Sequence, residues 1–66
     1  MKLIIQNSDS SLYLKDDQSW TPDPDEARNF PYPYDAVDFC KAQHLDHVQV
    51  VGKYEFTGDE VVMQRL

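Results

Sequence analysis

The residues whose spacing most resembles a reactive or metal-binding group are Cys40, His44 and His47, in the pattern C-x3-H-x2-H. On a helix Cys40 and His44 stand roughly one turn apart, so a thiolate and an imidazole could reach one zinc ion. Zinc sites are usually four-coordinate, so Asp46 or a partner molecule would have to complete the set. The same residues could supply a thiol nucleophile and its base, which requires an exposed sulfur with a lowered pKa. Against both readings, Cys40 falls on the apolar arc of its helix, where a free cysteine is a small buried hydrophobe and its thiol is inert. We therefore expect no catalytic residue, no metal ligand and no cofactor, and keep a Cys40-based small enzyme or metal site as the second alternative.

Carboxylates form the other concentration of chemistry. Asp16, Asp17, Asp23, Asp25, Glu26, Asp35 and Asp38 share their stretch with Arg28 as the only cation. Calcium is a poor fit, because the spacing lacks the ladder of oxygen ligands and the central glycine of an EF-hand loop. Two of these acids serve a local purpose instead. In Thr21-Pro22-Asp23-Pro24-Asp25-Glu26, Asp23 suits an N-cap, Pro24 the first helical position and Glu26 the partner of a capping box. The remainder predict an acidic face or edge. The net charge of -6 repels a phosphate backbone, so direct nucleic-acid binding is not expected, whereas imitation of a nucleic acid toward a basic protein is the first alternative.

A third group is aromatic. Tyr32 and Tyr34 are separated by prolines in Phe30-Pro31-Tyr32-Pro33-Tyr34, and so small a core cannot take in every ring. Exposed tyrosines are common anchors of protein interfaces. Packing across the sheet edge is the competing explanation.

These residues need elements to position them. Lys2 to Gln6 and Ser11 to Lys15 read as strands, joined through the turn formers Asn7-Ser8-Asp9-Ser10, with Leu12 and Leu14 toward the core. Asp16 to Ser19 reads as a polar loop delivering Trp20 at least half buried. A short capped helix is expected from Pro24 to about Asn29, ending because Phe30 precedes Pro31, with Ala27 and Phe30 leaning to one side. A longer amphipathic helix should run from Pro33 to about His44, with Ala36, Val37, Phe39 and Cys40 on its apolar arc. His47 to Val51 reads as a strand with Gly52 as its bulge or end and with Tyr54 and Phe56 continuing its face. Thr57-Gly58-Asp59 then turns into the strand Glu60 to Gln64.

The expected architecture is α+β in the order ββααββ. It is a small, mainly antiparallel sheet of four strands with both helices on one face. The strand order stays open, including a parallel pairing of the first strand with the third. At 66 residues the chain is expected to form a single domain over 1–66. A core of this size rarely supplies more than about 3 to 5 kcal/mol, so a deep substrate cavity would compete with it for side chains. The single cysteine allows no internal disulfide, and Met1 to Ile5 is too short for the apolar stretch of a signal peptide. No segment approaches a membrane span. Together these suggest a cytoplasmic location.

The succession Leu12-Tyr13-Leu14, Trp20-Thr21, Asp25-Glu26-Ala27-Arg28-Asn29-Phe30 and Ala36-Val37-Asp38-Phe39 resembles small single-domain proteins of bacteria and their phages. That resemblance implies a fold and carries no active-site residue. The expected function is a non-enzymatic protein-protein interaction or accessory module. Its partner would be an unidentified protein, and the contact surface Tyr32, Tyr34, Asp16, Asp17, Asp35 and Asp38. The terminal Val61-Val62-Met63 edge leaves the chain either monomeric or paired as an edge-strand homodimer.

Overall fold

The computed structural model describes residues 1–66. Five strands form one antiparallel sheet: β1 (Lys2–Asn7), β2 (Tyr13–Leu14), β3 (Trp20–Thr21), β4 (Val48–Lys53) and β5 (Glu60–Arg65), in the spatial order β3-β2-β1-β4-β5. One helix, α1 (Pro33–Ala42), lies between β3 and β4 in the chain. The protein is therefore α+β.

The centre of the sheet is the β1/β4 pair, which runs in unbroken register from Lys2 opposite Lys53 to Asn7 opposite Val48. This antiparallel pairing resolves the open strand order. Alternation then sends Leu3, Ile5, Val48 and Val50 to one face, where Ala36 and Cys40 of α1 close over them with Leu14 and Phe30. Ile4 and Val51 point to the other face, which no helix covers. There Tyr13 and Ala27 complete a second, smaller cluster.

The connection between β1 and β2 follows from its turn residues. Asn7 Oδ1 accepts from the amides of Asp9 and Ser10, both at 2.9 Å, the side-chain mimicry of a backbone turn that favours asparagine there. Leu14 is buried as expected. Leu12 is only partly covered, and Tyr13, on the opposite face, is buried as well.

Several expectations are corrected. The loop at Asp16 to Ser19 is a tight reversal, closed by the Lys15 amide on the Ser19 carbonyl at 2.8 Å, with Gln18 at φ 67. It folds Trp20–Thr21 back onto β2 as a fifth strand, and Trp20 packs partly buried against the main core. The helix expected from Pro24 to Asn29 is only a three-residue 3-10 turn, Pro24–Glu26. Asp23 caps it by accepting from the Asp25 amide. Glu26 does not close a capping box; it accepts from the Thr21 hydroxyl, and Thr21 Oγ1 in turn takes the Asp23 amide.

The turn stops because the sheet competes for the next backbone groups. The Arg28 amide bonds the Leu14 carbonyl and the Phe30 amide bonds the Leu3 carbonyl, both at 2.8 Å, while the Leu3 amide bonds Asn29 Oδ1. Since β2 is only two residues long, these groups of β1 and β2 would otherwise be orphaned, and an extended 28–30 segment satisfies them. Ala27 and Phe30 consequently serve opposite faces of the sheet, not one side. The element order is thus three strands, a 3-10 turn, one helix and two strands, not ββααββ.

α1 ends at Ala42, two residues before His44. Lys41 accepts from the amide of His44, which adopts the left-handed φ of 55, and the Leu45 amide reaches back to the Cys40 carbonyl at 2.9 Å. This is a Schellman-type stop in which Leu45 seals the helix end against the core. Gly52 is neither bulge nor strand end: it lies inside β4, opposite Leu3 and Val61. The irregularity falls on β5, where Val51 faces Val62 but Val50 faces Gln64, leaving Met63 as the extra residue. β4 stops at Lys53, so Tyr54 and Phe56 do not extend its face. They belong to the turn, where the Gly58 amide bonds the Tyr54 carbonyl with Gly58 at φ 76, and Phe56 stands wholly in solvent.

Candidate functional site

The prolines around Tyr32 and Tyr34 shape the most distinctive surface. Tyr32 is the extended residue that precedes α1, and Pro33 opens the helix with its ring in the first turn, where no amide is needed. Tyr32 and Tyr34 then stack with centroids 5.3 Å apart and ring planes 4° from parallel. They remain 55% and 62% exposed, with Tyr34 turned along the helix toward β5. Edge packing, the competing explanation for these rings, would account for the covered part of Tyr34 and leaves more than half of each ring in solvent.

Beside the stack, Pro33, Tyr34 and Val37 of the helix face Met63 and Gln64 of β5 across an open groove of about 390 Å³. The bulge is what brings both Met63 and Gln64 to the helix side, because an uninterrupted strand would alternate them. β5 has no neighbour on its outer side, and every residue in it is exposed. Val61, Val62 and Met63 retain 45%, 39% and 41% of their surface. Apolar surface of this kind, contiguous with aromatic rings, is the usual mark of an interaction site on a small domain.

The anticipated contact residues separate into two groups. Asp35 and Asp38 accompany Tyr32 and Tyr34 on the first turns of α1. Asp16 and Asp17 lie in the β2-β3 turn, at the far edge of the sheet from β5. Asp17 accepts from the amide and hydroxyl of Ser19, and these bonds hold its carboxyl below the usual carboxylate range. Asp23 is occupied as a cap, Glu26 by Thr21, and Asp25 lies 3.9 Å from Lys2 Nζ. The acidic stretch is therefore dispersed over two turns and a helix, with four of its members engaged by the chain's own donors.

Cys40 is buried against the sheet, and burial pushes its thiol pKa up, which opposes thiolate formation. His44 and His47 sit on exposed left-handed backbone after the helix. No three His, Cys, Asp or Glu side chains converge closely enough to hold a metal ion.

Two arrangements escape sequence reasoning. Arg28 lays its guanidinium over Phe30 and Phe39, 5.1 and 4.7 Å from the ring centroids, with the rings 5.6 Å apart. This cation-π contact fastens the 28–30 segment to the outer flank of α1. On the uncovered face, Tyr13 extends its ring over Ile4 and Val51 and donates its hydroxyl to Glu60 of β5, which also lies 3.8 Å from Lys53 Nζ. Burial first, then the bond to Glu60 and its negative charge, push the Tyr13 pKa up to about 12. Each depends on tertiary placement, the first on docking of α1 beside the 28–30 segment and the second on the pairing of distant strands.

No family model, curated protein or solved structure matches this chain. No helix is long and apolar enough to cross a membrane.

Proposed function

We propose that this domain is a non-enzymatic interaction module of the cytoplasm that binds a protein partner through the Tyr32/Tyr34 stack and the adjoining α1/β5 groove. The stacked, exposed ring pair carries the reading. Two rings already held in one orientation lose little conformational freedom on binding, and each offers apolar area with a polar tip. Asp35 and Asp38 beside them favour a partner with basic residues at the rim, which raises encounter rate and selectivity more than final affinity. The groove lining of Pro33, Tyr34, Val37, Met63 and Gln64 includes no carboxylate, imidazole or thiol, which supports binding over catalysis. Because the carboxylates are dispersed and several are internally bonded, the nucleic-acid mimic is the weaker of the two binding readings.

The test is affinity capture from a lysate of the source cells at low and at high salt, comparing the native chain with a Tyr32→Ser, Tyr34→Ser double variant of equal melting temperature. The expected result is a partner retained at high salt by the native chain and lost by the double variant. Capture of the same proteins by both chains overturns the assignment of the surface. A basic partner released by salt, and indifferent to the tyrosines, would instead establish the acidic mimic.

A further inference from the structure

We infer that the outer edge of β5 pairs antiparallel with β5 of a second copy of this chain, about a twofold axis at Val62, extending the sheet across both molecules. The inference rests on reading the α1/β5 region as a contact surface and names one occupant for its edge. It comes from the order of side chains along the strand. With Met63 as the bulged residue, Glu60, Val62 and Arg65 share the uncovered face, while Val61 and Gln64 share the helix face, as their partners on β4 require. An antiparallel copy centred on Val62 places Val62 on Val62, Val61 on Gln64 and Glu60 on Arg65, with every pair on a common face.

The charge pattern is self-complementary in this register. Each seam carries two opposite-charge pairs, Glu60 with Arg65 in both directions, flanking an apolar centre, and directly opposed unlike charges stabilise cross-strand pairs. The bulge is no obstacle. Each Met63 would oppose the Val61-Val62 step of the other copy, the same two-against-one arrangement that it already makes with Val50 and Val51 of β4. Net repulsion between two chains of charge -6 is moderated by position, since Asp16 and Asp17 lie at the opposite edge of the sheet. At about 0.15 M salt the screening length is about 8 Å, well short of the sheet's breadth. The other edge, β3, is only two residues long and runs into Pro22, so it offers no comparable template.

Sedimentation equilibrium up to about 1 mM chain, together with charge reversal, tests the pairing. The native chain is expected to show about twice its 7.7 kDa mass. Arg65→Glu sets like charges opposite Glu60 at both ends and should weaken association about ten- to a hundredfold. Glu60→Arg should do the same alone, and an equal mixture of the two variants should associate again. Because Glu60→Arg also removes the acceptor of Tyr13, a second readout avoids it. Under mild oxidation with oxidised glutathione, Val62→Cys should give a disulfide-linked dimer and Val61→Cys should not, since only position 62 meets itself.

A native chain that stays monomeric throughout the range overturns the pairing, as does a dimer indifferent to Arg65→Glu or cross-linked equally well through position 61. A monomer that still captures a tyrosine-dependent partner leaves the contact surface standing without the dimer. A dimer with no such partner leaves the pairing standing and removes the partner reading.

Discussion

β4 and β5 are neighbours of equal length, and both are rich in valine. In β4, Val48, Val50 and Val51 are sealed between the helix on one side and Tyr13 on the other. In β5, Val61, Val62 and Met63 are only partly covered and have no strand beyond them. The difference is one of cover and not of composition. α1 closes directly over β1 and β4 and meets β5 only along an open groove. A chain this short has one helix to spend, and it closes the centre of the sheet. What remains outside is an apolar strand held in a fixed register by its ladder to β4.

The largest effect should come from the sealed half. Ile5 is fully buried between β4 and α1, and Ile5→Ala should cost about 3 to 4 kcal/mol in urea unfolding, from lost transfer energy and the cavity left behind. That is comparable to the whole stability expected of so small a core. The variant is therefore expected to be largely unfolded at 37 °C by circular dichroism. A loss below about 1 kcal/mol would mean that the β1/β4 centre is no better packed than β5, and the contrast would fail.

The sealed half was also the more legible in the sequence. Asn7 to Ser10, the alternation in Val48 to Val51 and the proline-started apolar arc of α1 are local signals, and each appears within a residue or two of its expected place. The exposure of Tyr32 and Tyr34 was readable from the flanking prolines, while the bare edge at Val61 to Met63 was an expectation that only the strand order could decide. What failed was non-local. The 3-10 turn has helix-capping chemistry at Asp23 and Pro24, yet unpaired groups of Leu3 and Leu14 claim Arg28, Asn29 and Phe30. Gly52 attracted the bulge assignment by residue type, whereas register places it at Met63. Asp16 and Asp17 joined the contact surface on charge alone, and the sheet order sends them to the other side of the molecule.

Tyr13 ties the two halves together, since it covers Ile4 and Val51 and holds Glu60 of β5. Its pKa of about 12 in the folded chain lies above the ordinary tyrosine value of 10.0. A group whose folded pKa is raised contributes stability that is complete below the unfolded pKa and is lost as pH rises through the folded one. The native chain should therefore lose stability between about pH 10 and pH 12, by at most about 2.7 kcal/mol for a two-unit shift and by less once solvent screening is counted. Tyr13→Phe should show a shallower decline over that window in urea titrations. Equal slopes for the two chains would show that the ring covers the sheet without coupling its ionisation to folding.

The smallest effect on folding is expected in β5, and there its smallness is informative. Val62→Thr keeps the branched shape and strand preference while placing a hydroxyl where solvent already reaches. In a dilute chain, below the concentration at which copies pair, unfolding should shift by less than about 0.5 kcal/mol. The same substitution puts two hydroxyls at the proposed twofold centre, so association should weaken while the fold is kept. A loss of 1 kcal/mol or more in the dilute chain would instead place Val62 among the residues that hold the domain together. The division between a covered and an uncovered strand would then have to be redrawn, with β5 stabilising the fold through its own side chains and not only through its ladder to β4.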